Sequence, residues 1–86
     1  MNIYLSELKP YYNIIDIRDS YSYNSDHVSN AINIPYDILL NNYNNYLNKD
    51  EVYYIYCKSG YRSKKICNIL GALGYKVVNV IDGFGK

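Results

Sequence analysis

Val52-Tyr53-Tyr54-Ile55-Tyr56-Cys57-Lys58-Ser59-Gly60-Tyr61-Arg62-Ser63 is an apolar run that breaks at a cysteine and passes through a glycine into a cationic segment. Val52 to Tyr56 are β-branched or aromatic residues that pack well on a pleated, half-buried surface, which predicts a strand over 52–56. Downstream, Ile66, Ile69, Leu70 and Leu73 recur at helical spacing, which predicts a helix over 62–73. Gly74 stands where a helix C′ glycine is favoured. A cysteine between a strand end and a helix start sits among N–H groups that have no intrahelical partner. Those groups and the positive end of the helix dipole favour an anion in the loop, and they favour thiolate over thiol. Cys57 is therefore expected to have a depressed pKa and to be a nucleophile. Gly60 permits tight curvature, including positive φ. Lys58 and Arg62 add cationic side chains.

The same alternation runs through the rest of the chain. Ile3 to Leu5 reads as a short strand, followed by a single turn that Ser6 caps and Pro10 stops. Asn13 to Ile17 reads as a buried strand, and Asp19 to Asn24 as a short helix with Asp19 or Ser20 at its cap. Ala31 to Ile34 is a strand ending at Pro35, Tyr36 to Leu47 holds a helix, and Val77 to Ile81 is the last strand. Asn41-Asn42-Tyr43-Asn44-Asn45-Tyr46 is low in complexity and reads as a surface loop or frayed helix end. Strands alternating with helices predict an α/β fold with a mostly parallel sheet covered by helices. Ligands of such sheets sit at the carboxyl ends of the strands, the edge where Cys57 falls.

Cys57-Lys58-Ser59-Gly60-Tyr61-Arg62-Ser63 resembles the active-site loop of the rhodanese family of sulfurtransferases in its single-domain form. Ile14-Ile15-Asp16-Ile17-Arg18 resembles that family's Asp-Val-Arg segment. Asp26-His27-Val28 and Asn30-Ala31-Ile32-Asn33-Ile34-Pro35 resemble its Gly-His-Ile and Gly-Ala-Ile-Asn-Ile-Pro segments. Leu73-Gly74-Tyr75-Lys76-Val77 and Asp82-Gly83-Phe84 resemble the segments after the active-site helix. These matches run in family order from Ile14 to Phe84. The resemblance implies a five-stranded, mostly parallel sheet with helices on both faces. It implies Cys57 as the catalytic nucleophile, and Lys58, Ser59, Gly60, Tyr61, Arg62 and Ser63 as the pocket that binds substrate. Two departures stand out: many members continue past the final glycine turn to a Trp and a closing helix, and Asp26 occupies a common glycine position. Phe84 is a candidate to take the place of that wall.

The chemistry of such a loop needs no metal and no cofactor. A Cys57 thiolate attacks the outer sulfur of an anionic donor such as thiosulfate, a persulfide or a polysulfide. The resulting persulfide lies in a cradle of N–H groups, and an acceptor removes its sulfur in a double displacement. A sulfur-relay protein is a second candidate partner. Cys57 and Arg62 are five positions apart, one fewer than in cysteine phosphatases with a similar strand–loop–helix. A tighter cradle suits one sulfur better than a tetrahedral phosphate, so a phosphatase or arsenate reductase is the lesser reading. A non-catalytic interaction module on the same fold is the other alternative, disfavoured by the thiol itself. Cys67 shares the apolar stripe of its helix and reads as core. His27 reads as structural. Asp16 and Arg18 follow a strand at the sheet edge of the loop and read as a supporting ion pair.

Composition narrows the classes further. Eighty-six residues make one domain, residues 1–86, with a small core. A net charge of +1 argues against a general nucleic-acid binder. Lys58, Arg62, Lys64 and Lys65 concentrate charge at the loop, while the other five basic residues face eight acidic ones. One basic focus on a near-neutral chain suits a small anionic substrate or an acidic partner surface. No apolar run approaches the ~20 residues that span a bilayer, and the start lacks a basic segment followed by an apolar one. Two cysteines without a framework point to a reducing compartment, the cytoplasm. The thirteen Tyr and twelve Asn are read as coding bias of an AT-rich genome.

Overall fold

A computed structural model describes residues 1–85. Five strands, β1 (Asn2–Ile3), β2 (Asn13–Asp16), β3 (Ile32–Asn33), β4 (Val52–Tyr56) and β5 (Lys76–Val80), form one sheet in the order β1-β5-β4-β2-β3. Every pairing is parallel, so the mostly parallel expectation resolves to an entirely parallel sheet among the described residues. Three helices, α1 (Ser20–Ser25), α2 (Tyr36–Tyr46) and α3 (Tyr61–Ala72), connect the strands. A 3-10 turn at Leu5–Glu7 follows β1.

Parallel strands need crossovers on the sheet faces, and both faces are covered here. On one side α2 and α3 lay Leu39, Ile66, Cys67 and Leu70 against Ile15, Ile55 and Tyr53. On the other, Tyr23 of α1, Leu5 and Leu8 pack with Ile14, Tyr56 and Val80. Phe84 joins this second cluster, its ring 5.9 Å from that of Tyr56. It therefore covers part of the sheet face beside Tyr56.

Local chemistry sets the element ends. Asp19 caps α1, its carboxylate accepting the Ser22 N–H at 2.8 Å. The 3-10 turn is closed by Glu7, which accepts the Tyr4 N–H at 2.7 Å, so Tyr4 and not Ser6 holds the cap position. The Asn-rich run is not a loop but the second half of α2. It is kinked at Asn42 (φ −140°, ψ 25°), whose side chain donates to the Ile38 carbonyl at 3.0 Å. No helix among the described residues is long and apolar enough to cross a membrane.

Candidate active site

β4 carries the chain to Tyr56, and α3 begins at Tyr61, so residues 57–60 turn the chain at the carboxyl edge of the sheet. Gly60 makes the turn at φ +88°. A Cβ built on it would lie 2.1 Å from the Ile81 carbonyl oxygen, so packing and dihedral both demand glycine. From below, the Phe84 N–H donates to the Cys57 carbonyl at 2.9 Å. Gly83 presses so closely that a Cβ there would meet the Lys58 carbonyl oxygen at 2.5 Å. The loop is thus wedged between β4, α3 and the turn after β5.

This curl brings two amides to one sulfur. Cys57 Sγ accepts the Gly60 N–H at 3.2 Å and the Ser63 N–H at 3.3 Å, with Ser63 Oγ at 3.4 Å. Burial pushes the Cys57 thiol up. The Ser63 hydroxyl and the amides of Ser63, Ser59 and Gly60 outweigh that burial and hold the thiol below its ordinary value. The residue is 4% exposed, yet it lines an open cavity.

That cavity, about 490 Å³, is shared between elements far apart in sequence. The loop and α3 contribute Cys57, Lys58 and Arg62, and the end of β2 contributes Ile17 and Arg18. Asp19 lies on one side, and Pro35, Tyr36, Asp37 and Ile38 form the wall opposite the loop. Arg62 is held over the Tyr36 ring, its guanidinium carbon 5.2 Å from the centroid. The result is a cleft with cations beside the sulfur, an apolar wall and two carboxylates at its margin.

Below the cleft, Asp16 is fully buried and does not line it. Its carboxylate accepts from Arg18 Nε at 3.1 Å and Nη2 at 2.8 Å, from the Arg18 N–H at 2.8 Å and from the Tyr56 hydroxyl at 2.8 Å. The hydrogen bond to Asp16, ahead of the cost of burial, raises the Arg18 pKa, and burial raises that of Tyr56. Arg18 Nη2 also donates to the Asp26 carbonyl at 2.6 Å, which ties the chain after α1 to the sheet. The pair fixes the floor of the cleft, and Arg18 alone reaches its lining.

The other expected residues scatter. Ser59 is exposed and lines no part of the cleft; Tyr61 is 70% exposed at the start of α3 and lines no part of it either. His27 Nδ1 donates to the Tyr23 carbonyl at 2.7 Å and its ring stacks on Tyr23, away from Cys57. Cys67 is buried in the core, and burial pushes its thiol up to about 12. Sequence reading missed the wall opposite the loop: Pro35 ends a segment that carries the resemblance but has no assigned place in the site, and Tyr36 to Ile38 show no motif of their own. It also missed Asn79, buried beneath Ser63. A single amide inside Val77-Val78-Asn79-Val80 was the signal available for it.

Comparison with known proteins agrees with this geometry. The family model for the rhodanese-like domain matches residues 4–86. A thiosulfate sulfurtransferase GlpE of Tolumonas auensis is 33% identical over 70 residues, which is 81% of this chain and 65% of that protein. Among solved structures, a rhodanese-like domain protein of Staphylococcus aureus is 40% identical with TM-score 0.76, covering 92% of this chain and 76% of the other. SSP1007 of Staphylococcus saprophyticus is 36% identical with TM-score 0.79, covering 86% and 76%. The chain spans 38%, 20% and 65% of the lengths of three curated relatives it matches. On the strength of the near-complete family match and of the shared fold, this chain belongs to the rhodanese-like domain family.

Proposed function

We propose that this protein is a sulfurtransferase that carries sulfane sulfur as a persulfide on Cys57. The observation that carries the reading is the convergence of the Gly60 and Ser63 amides on Cys57 Sγ, at 3.2 and 3.3 Å, beside a cationic cleft. The thiolate attacks the outer sulfur of an anionic donor such as thiosulfate. The donor S–S bond breaks, and sulfite leaves with the bonding pair. Cys57 then bears a terminal S⁻, which the loop amides and the positive end of the α3 dipole stabilise. A thiophilic acceptor attacks that terminal sulfur and regenerates the thiolate, so no external oxidant is consumed.

Lys58 and Arg62 attract the donor, and Arg18 lines the floor. Ser59 and Tyr61 contribute backbone more than side chain. The donor is thiosulfate, a low-molecular-weight persulfide or a polysulfide, and a sulfur-relay protein fits as acceptor. Two free cysteines suit a reducing compartment, the cytoplasm. Thiosulfate treatment followed by mass spectrometry of native protein tests the reading. The Cys57 peptide should gain one sulfur, about 32 Da, removable by cyanide or dithiothreitol and absent in Cys57→Ser. Native protein that never acquires the adduct, or that instead hydrolyses an aryl phosphate through Cys57, overturns it.

A further inference from the structure

Ser63 Oγ, fully buried, is surrounded by more acceptors than it has protons. It lies 3.4 Å from Cys57 Sγ, 3.2 Å from the Gly60 carbonyl oxygen and 2.5 Å from Asn79 Oδ1. A hydroxyl donates once. Asn79 is on β5, 3% exposed, and its backbone N–H is already bonded to the Met1 carbonyl at 3.0 Å. The sheet therefore asks nothing of its side chain, and a valine would serve the strand better.

We propose that Asn79 is a positioning residue: the orientation of its buried amide sets the direction of the Ser63 proton and thereby selects between thiol and thiolate at Cys57. With Oδ1 toward Ser63, Asn79 competes with Cys57 for the one Ser63 proton, and the hydroxyl's support of the thiolate is weakened. A half-turn of the amide places Nδ2–H on Ser63 Oγ, and the hydroxyl is released toward Sγ. A charge-assisted bond to thiolate is stronger than the alternative bond to the Gly60 carbonyl. The sulfur then accepts from two amides and one hydroxyl, and the displaced proton leaves to water through the cleft. The half-turn is nearly isosteric. Asn79 also borders a second cavity of about 290 Å³, shared with Lys64 and Asn68 of α3.

Lys58, Arg62, Arg18, Asp19 and Asp37 line the cleft with Cys57. The other charged or titratable groups on the elements around the loop are Asp16 of β2, Tyr56 of β4, Lys64 and Cys67 of α3, and Asp82 after β5. Neutral substitution of Asn79 leaves all of them in place, so a moved titration reports the link through Ser63.

The inference depends on Cys57 being the reactive thiol but not on sulfur transfer, so the test reads ionisation by alkylation and not the persulfide. The pH profile of Cys57 iodoacetamide labelling is measured by peptide mass spectrometry on the full chain. A wild-type midpoint at or above that of free cysteine would count against the activated thiol itself. Against a low wild-type midpoint, Asn79→Asp should raise it by about one unit, since a carboxylate takes the Ser63 proton and also adds its own charge; only the part of the rise that disappears in the Ser63→Ala background reports the link. Asn79→Leu, which removes the acceptor competing for that proton and adds no charge, should lower it by about half a unit. Combined with Ser63→Ala, it should add nothing beyond Ser63→Ala alone, since the coupling runs through the hydroxyl. A purely structural Asn79 would lower the urea midpoint and leave the labelling profile in place, which overturns the proposal. Should the variants fail to fold, the wild-type Asn79 side-chain amide resonances decide. They should titrate with the Cys57 midpoint, and pH-invariant resonances refute the link.

Discussion

Burial alone ordinarily keeps a thiol protonated, and the two cysteines show what hydrogen bonding changes. For Cys67 burial is the dominant influence, and its thiol is pushed up to about 12. Cys57 meets the same penalty but is offset by the Ser63 hydroxyl and three amides, so it lies below its ordinary value. At about pH 7.5 iodoacetamide should label Cys57 in the folded protein and spare Cys67 until urea is added. The linkage has opposite signs. A thiol lowered by folding stabilises the folded state above its unfolded value of about 8.5, and that contribution is lost as pH falls through the folded value. Urea unfolding should therefore show wild type gaining on Cys57→Ser as pH rises toward about 8.5. Cys67 contributes below its unfolded value, and its contribution fades as pH rises toward about 12. Arg62 lines the cleft and is held over the Tyr36 ring, and in the proposed reaction it attracts the anionic donor. Arg62→Ala should lower kcat/KM for thiosulfate about tenfold, mostly through KM, as expected for a loss near 1.4 kcal/mol.

Between elements, the loop depends on two backbones that touch. Gly83 at φ +64° packs on the Lys58 carbonyl, and Gly60 packs on Ile81. Gly83→Ala should destabilise the protein by about 1–3 kcal/mol in urea titration and displace the loop, raising the Cys57 labelling midpoint as the amides move off sulfur. The Asp16–Arg18 pair joins the end of β2 to Tyr56 of β4 and to the chain after α1. Asp16→Asn leaves Arg18 charged and buried with half its partners. A loss of about 3–5 kcal/mol by chemical denaturation is expected. Strand β4 was legible residue for residue because its run of β-branched and aromatic side chains is bounded by a charge and a cysteine. β3 proved shorter than read, since it is an edge strand paired only with β2. α2 absorbed the Asn-rich run because Tyr43 packs on Tyr75, with rings 5.6 Å apart, a partner that local propensity does not see.

In the molecule as a whole, the face under α2 and α3 holds the larger part of the core, with Leu39, Ile55, Ile66 and Leu70 all at 0% exposure. Leu70→Ala should cost about 2–5 kcal/mol in urea unfolding while leaving the Cys57 labelling midpoint in place, because it empties space behind α3 without touching the loop. Residues 57 to 63 were readable from sequence as a cysteine in a curl of N–H groups, because strand end, glycine and helix start are local and their N–H geometry follows from the backbone. The alternation of short apolar strands with helices declared a parallel α/β sheet for the same reason: crossover length and burial on two faces are written in periodicity. Tertiary structure alone decided what stands opposite the sulfur and what lies beneath it. Arg18 was legible in the sequence as part of a supporting pair, but its place in the cleft lining, the Tyr36–Ile38 wall and the Asn79 amide come from segments that meet only once the strands align in register, and side chains brought together across such distances leave no pattern along the chain.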